Sequence, residues 1–354
     1  MFFLKGLNLT IVFLILAIFS FGLLAIFANE PNLAFQQLLF FALGILAFLA
    51  ISAFDIRIFK DVLPFFWIVS LVVVFFVTFF APEIRGSARW IELGFFRFQP
   101  TELAKPVVIL FLASIFSQDG QPAKLILKSL GIILPFVFFA FLQPDLGNAI
   151  IFILIWYFGL FIAGFNWKIL ASIASLFLIL IPAFLFVLAP YQKLRLETFL
   201  NPQVDPLGAG YSVIQSQIAV GAGKFWGRGL VDATQSRLEF LPEAPTDFIF
   251  ASISEGLGFV GSIVFISLFF TLIYQLITKS QVSDRFSQIV ILQVAALLFI
   301  QFFINLAMSV GLLPVVGITL PFVSYGGSSL VTSFILFSLV QSQIKFAPKP
   351  VDSK

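Results

Sequence analysis

Three short stretches carry the residues that could do chemistry: Gln99-Pro100-Thr101-Glu102, Gln143-Pro144-Asp145 and Pro245-Thr246-Asp247. Each sets an acidic residue where an apolar run begins, and Lys105 follows Glu102 by one helical turn. The chain has no cysteine and no histidine. Thiol nucleophiles, disulfides, zinc–thiolate sites and histidine proton relays are therefore excluded. Acid–base work falls to the 17 Asp and Glu residues, or to Lys and Tyr. Two readings stand for each acidic start. Pro near the first helical position with a short acidic or hydroxyl residue caps a helix, worth about 0.3–1 kcal/mol through the helix dipole. An ionisable residue at membrane depth costs about 2.5–3.5 kcal/mol on insertion scales, which marks it as functional by default. Capping alone leaves Lys105 unexplained. Around Asp247, Glu243 and Glu255 add further acidic crowding.

The elements that position these residues are membrane-spanning helices. Of the 354 residues, 60% are hydrophobic and 10% charged, with a mean hydropathy of +1.11. A soluble domain carries about 25% charge to wet its surface. The composition specifies an all-α polytopic membrane protein, 1–354, built as a single membrane domain. Apolar runs near 8–28, 33–53, 62–81, 100–117, 125–142, 146–164, 167–189, 247–275, 287–309 and 327–344 predict ten spans. The first run is too long for a signal-peptide core and lacks a cleavage site, so it is read as a span. The run 125–142 is short for a bilayer.

Ten spans put both termini on one side. Every loop on that side carries a basic residue, while the nine basic residues opposite sit in only two segments, 82–105 and 191–246. The distribution predicts cytoplasmic termini and two outer loops, 82–99 and 191–246. Such local cationic density suits an anionic ligand, or pairing with Glu83, Glu92, Glu197 and Glu239. The net charge of +3 therefore points to no nucleic acid. The loop 191–246 is far longer than ordinary connections. Within it Tyr211, Ile214 and Ile218 predict an amphipathic helix, lying on the membrane surface or packed on the bundle. The Pro/Gly-interrupted stretch from Gly311 to Ser329 requires burial or a wet cavity. Trp90, beside Arg89, suits either a sugar platform or the membrane interface.

The motifs resemble those of the SEDS family (shape, elongation, division and sporulation), to which RodA and FtsW belong. They stand here as GSARWIELG from Gly86, QPTELAK from Gln99, QPDLG from Gln143 and FLNPQVDPLGAGY from Phe199. QSQIAVGAG from Gln215, FLPEAPTDFIF from Phe240 and GLLPVVGITLPFVSYGGSSL from Gly311 complete the set. The chain departs from the family pattern at Pro245, where His is usual, at Gly256, where Glu is usual, and at Asn148, where Thr is common. The short N-terminus and the YQKLRLETFLNP stretch lean toward RodA over FtsW.

The resemblance implies a peptidoglycan glycosyltransferase that polymerises lipid II onto a nascent lipid-linked glycan, for cell elongation or division. Asp247 matches the family's catalytic aspartate and would act as general base. Arg89, Lys105 and Arg195 would meet the pyrophosphate, Trp90 a sugar, and Glu102, Asp145 and Glu255 would complete the substrate-binding set. A divalent cation, Mg or Mn, held by Asp145 and Asp247 would assist the leaving group. The implied partner is a class B penicillin-binding protein, a transpeptidase, in the bacterial inner (plasma) membrane with the site on the outer face. Two other classes fit the same residues: a lipid II flippase, which needs an inward path and no base, and a non-enzymatic organiser of a synthase complex.

Overall fold

The computed structural model describes residues 7–346 apart from 83–87, 95, 189, 209, 239 and 283. Arg85 and the Gly86-Ser87 start of the first outer motif therefore lie outside the described residues, as do Glu83, Glu239 and both chain ends. Each expected span coincides with a helix. Asn8 caps α1, Leu9–Asn29, and Pro31 opens α2, Pro31–Ser52. A 3-10 turn, Ile56–Val62, leads into α3, Leu63–Phe80. Next come α4, Pro100–Phe116, α5, Pro122–Leu142, and α6, Leu146–Ile162. The chain continues with α7, Trp167–Val187. Beginning at Pro122, α5 is longer than its apolar run suggested.

Seven of the helices are long and apolar enough to cross a membrane, and Leu146–Ile162 and Trp167–Ala183 are apolar over a shorter stretch. The protein is an integral, all-α membrane protein. Among the described residues the strands form one hairpin in the 82–99 loop, β1 Ile91–Leu93 paired antiparallel with β2 Phe96–Phe98. It turns at Gly94 and delivers the chain to the start of α4.

The long 191–246 loop carries three short α-helices: α8, Pro190–Leu200, α9, Tyr211–Ala222, and α10, Thr234–Arg237. The expected helix forms as α9, but its packed face is Val213, Ser216 and Ala219, while Ile218 is 44% exposed. The Ser216 hydroxyl donates to the Ser309 carbonyl at 2.7 Å, so the helix packs on the bundle.

The last three helices are α11, Ile249–Lys279, α12, Arg285–Ser309, and α13, Gly327–Phe346. α4, α12 and α13 are the most buried spans and form the centre, with α3 and α7 at the periphery. α11 is broken at Gly258, whose φ of 67° is a left-handed value that suits glycine. A broken helix strands backbone groups that lipid cannot satisfy. The long 191–246 loop satisfies them here. The carbonyls of Glu255 and Gly256 accept from the amides of Arg228 and Gly229, and the amides of Phe259 and Val260 donate to Lys224 and Phe225. A side chain at Gly256 would strike Leu230 of the loop.

Candidate active site

The Gln99 and Ser328 ends of α4 and α13 are joined where the Gln99 amide donates to the Ser328 hydroxyl at 2.8 Å. That hydroxyl in turn donates to the Arg97 carbonyl at 3.1 Å, which fixes the hairpin over the helix ends. Beneath it opens a cavity of about 1040 Å³. Its walls carry Arg89, Trp90, Glu102, Lys105, Asp145, Arg195 and Asp247, seven of the eight expected site residues. They come from the hairpin loop, α4, the α6 start, α8 and the turn before α11.

Asp145 caps α6 and is only 3% exposed. Its Oδ1 accepts from the Asn148 amide at 3.1 Å, and its Oδ2 from Gln99 Nε2 at 2.8 Å and Asn148 Nδ2 at 2.9 Å. Arg89 Nη1 stands 3.6 Å from Oδ1. Asn148, one of the departures from the family pattern, thus donates twice to this carboxylate. Glu102 and Lys105 close on each other, with Nζ 2.5 Å from Oε1 and Lys105 1% exposed. Removing one partner of such a buried pair is costly, because it leaves the other without its counter-ion.

Asp247 is different. It is half-buried and faces the cavity, and no described residue hydrogen-bonds its carboxylate. Its backbone is fixed instead: its amide donates to the Glu243 carbonyl at 3.1 Å, and its carbonyl accepts from Asn305 Nδ2 at 2.9 Å. Asn305 also donates to the Ile318 carbonyl at 2.9 Å, so α12 ties the broken 311–326 stretch to the aspartate. Gly317, at φ 71°, lies against the Asp247 carboxylate, and a side chain there would fill the space in front of it. Burial first, then nearby Glu243, push the Asp247 carboxyl up to about 6 against the pull of Arg195 and Arg89.

Arg195 donates to the Val315 carbonyl at 3.2 Å and lies over the Tyr191 ring. The Tyr191 hydroxyl donates to the Pro144 carbonyl at 2.9 Å, so α8 bridges the α6 start and the broken stretch. Arg89 lies over Trp90 at 5.9 Å. Arg89 and Arg195 therefore flank the end of the cavity where the Asp247 carboxylate opens, an arrangement that can hold an anion and accept a proton.

Glu255 does not join this wall. It is fully buried, and its carboxylate accepts from the Gln235 and Ser236 amides at 2.9 and 3.1 Å and from the Ser236 hydroxyl at 2.9 Å. It holds α10 in place and reaches the cavity only through Ser236. The expected cation pair fits poorly too: Asp145 has its oxygens taken by four donors, and the described residues hold no cluster of three acidic ligands.

Asn305, Gln36, Thr319 and Tyr325 were not anticipated. A signal existed for the first. Gln293, Gln301 and Asn305 recur at multiples of four along an otherwise apolar span, a polar stripe that must face protein.

The model of the FtsW/RodA/SpoVE cell cycle proteins matches residues 1–347. The chain belongs to this family. One family relative, peptidoglycan glycosyltransferase MrdB of Escherichia coli (strain K12), is 35% identical over 342 residues, covering 94% of this chain and 92% of the relative. Another, probable peptidoglycan glycosyltransferase FtsW of Wigglesworthia glossinidia brevipalpis, is 35% identical over 86% of this chain and 82% of its own. Among solved structures, a chain of a peptidoglycan synthase complex that coordinates polymerization with crosslinking superimposes with a TM-score of 0.81. It is 28% identical and covers 95% of this chain and 97% of its own length. A mutant of the rod shape determining protein RodA of Thermus thermophilus gives 0.73 at 25% identity, over 97% of this chain and 99% of its own.

Proposed function

We propose that Asp247 is the general base of a peptidoglycan glycosyltransferase that extends a lipid-linked glycan strand with lipid II, in the RodA role of cell elongation. The chain is a family glycosyltransferase. The 4-hydroxyl of the incoming lipid II attacks the anomeric carbon of the strand's terminal sugar. The new carbon–oxygen bond forms as the bond to pyrophosphate breaks, and the hydroxyl proton passes to Asp247. Undecaprenyl pyrophosphate leaves with the bond's electron pair, its charge met by Arg89 and Arg195. The observation that carries this reading is the Asp247 carboxylate, free of hydrogen bonds from described residues and open to the cavity beside Arg89 and Arg195. A base whose pKa stands near 6 is mostly ionised at neutral pH and still able to accept a proton. Since Asp145 is engaged by its own neighbours, we assign pyrophosphate neutralisation to the arginines and place no Mg or Mn at Asp145. Purified chain with lipid II tests the base: Asp247→Ala should make no glycan, and polymerisation at the wild-type rate would refute it.

The orientation belongs to the same proposal, with the cavity on the outer face and both termini cytoplasmic. The chain has no native cysteine. Cysteine introduced at exposed Gln203, in the large loop, should react with an impermeant thiol reagent in intact cells. One at exposed Gln118, after α4, should be protected. The reverse pattern would invert the topology. We further propose a class B penicillin-binding protein as partner, seated on the outward apolar side of α11 and α12, where Phe259, Ile263, Phe270 and Phe303 are exposed. Co-expression should give co-purification and faster polymerisation, and an unchanged rate with no complex would count against the partner.

A further inference from the structure

The cavity has a second end, away from Asp247. It is walled by the α2 start, the hairpin and the turn before α13, and it carries Gln36, Phe40, Arg97, Thr319 and Tyr325. Its chemistry differs from the first end. The charges acting on Asp247 are Glu243, Arg195, Arg89 and Asp145, whereas those acting on Tyr325 are Arg97 and Glu30. Hydroxyl and amide groups line the second end alongside Glu30 and Arg97. The Tyr325 hydroxyl meets Gln36 Oε1, and the Thr319 and Ser329 hydroxyls lie 2.7 Å apart. Tyr325 packs on Phe40 with ring centroids 6.3 Å apart, giving an aromatic wall beside these amides and hydroxyls. At the mouth Arg97 is half exposed and pairs with Glu92 at 3.2 Å.

The backbone ties this end to the base. The Tyr325 amide donates to the Pro245 carbonyl at 2.8 Å, and the Ser324 hydroxyl to the Thr246 carbonyl at 2.6 Å. Gln37 Nε2 donates to the Ser324 carbonyl at 3.0 Å, which anchors the turn on α2. A ligand bridging Tyr325 and Asp247 is therefore held by one rigid frame.

We propose that this end is a carbohydrate subsite for the acceptor, holding the disaccharide of the incoming lipid against Gln36, Thr319 and Tyr325 with Arg97 toward its pyrophosphate. The proposal rests on the glycosyltransferase reading above. A transferase that joins two lipid-linked sugars needs two headgroup positions. The pyrophosphate that leaves needs the cationic Arg89–Arg195 end, while the acceptor's sugar needs hydroxyl and amide partners and an aromatic face. The far end supplies the latter in Gln36, Thr319, Tyr325 and Phe40, with Arg97 as a cation at its mouth. The acceptor's 4-hydroxyl then reaches Asp247 while the rest of its disaccharide lies along Thr319 and Tyr325.

The test separates the two substrates. A lipid-linked strand whose terminal 4-hydroxyl is blocked serves as donor only, and lipid II concentration is then varied as acceptor. Tyr325→Phe and Gln36→Ala should each raise the half-saturating lipid II concentration about fivefold, equivalent to one hydrogen bond worth about 1 kcal/mol. Half-saturation by the blocked donor should not move, which also shows that the variants are folded. An equal shift for donor and acceptor, or none for either, would overturn the subsite. If a variant proves too slow to assay, lipid II binding in the Asp247→Asn background gives the same readout: weakened binding supports the subsite and unchanged binding refutes it. Normal turnover by Asp247→Asn alone would instead refute the base and leave the acceptor shift to be measured.

Discussion

Asp145 and Asp247 begin from the same local sequence chemistry, an acidic residue shortly after proline at the start of a helix, and end in opposite states. Asp145 caps its helix, and three hydrogen bonds with a nearby guanidinium enclose its carboxylate. Asp247 lies one residue before the N-cap of α11, caps nothing, and offers its carboxylate to the cavity. The backbone around Asp247 is as firmly held as that around Asp145, through Asn305 and Ser324. What differs is where the polar partners point. At Asp145 they satisfy the charge. At Asp247 they fix the main chain and leave the charge for a substrate. A closed charge should therefore be read out in stability, and the open one in turnover.

The largest effect should come from the closed Glu102–Lys105 pair. Lys105→Ala strands a buried carboxylate, a loss of about 3–5 kcal/mol for buried pairs. Thermal unfolding in detergent should show this, with Glu102→Gln added to Lys105→Ala recovering much of it; an unchanged melting temperature for the single variant would break the closed category. Asp145→Ala should cost less, about 1–3 kcal/mol, since it leaves the Gln99 and Asn148 donors without an acceptor. Retained stability with lost turnover would instead make Asp145 catalytic.

The pH profile sharpens the open category. Below about 6 Asp247 is protonated, so turnover should fall about tenfold per pH unit on that limb. The stability sign is opposite. A carboxyl raised from 3.8 to about 6 favours the folded state below 3.8, and that contribution is lost as pH rises through about 6. Asp247→Asn should consequently melt no lower than wild type at pH 7. The smallest effect is a null one: any stimulation by Mg or Mn should be the same in Asp145→Asn as in wild type. Loss of the metal response would restore Asp145 as a ligand.

Much of this was legible in sequence, for definite reasons. Apolar runs of span length fix helices through backbone hydrogen bonding in lipid, and all ten runs are helical. The acidic starts were visible as residues, but whether each was enclosed depended on Gln99, Asn148 and Asn305, which approach from other helices. The family resemblance placed Glu255 with the site, yet the helix break at Gly258 brings the 191–246 loop across it, and α10 takes its oxygens. The hairpin at Ile91–Phe98 was missed because three-residue strands carry little periodic signal. The Tyr325 end was invisible for a different reason. Gln36 and Tyr325 are 289 residues apart and each, alone, is an ordinary polar residue near a span end.

The most direct test of the central claim is Asp247→Asn, assayed for lipid II polymerisation and lipid II binding on the same purified protein. Asn preserves volume and a hydrogen-bonding oxygen, and caps helices about as well as Asp, but cannot accept the proton. The open-charge account predicts lost glycan synthesis with binding and melting temperature retained. Near-normal synthesis by this variant would contradict it and return Asp247 to the role that Asp145 fills.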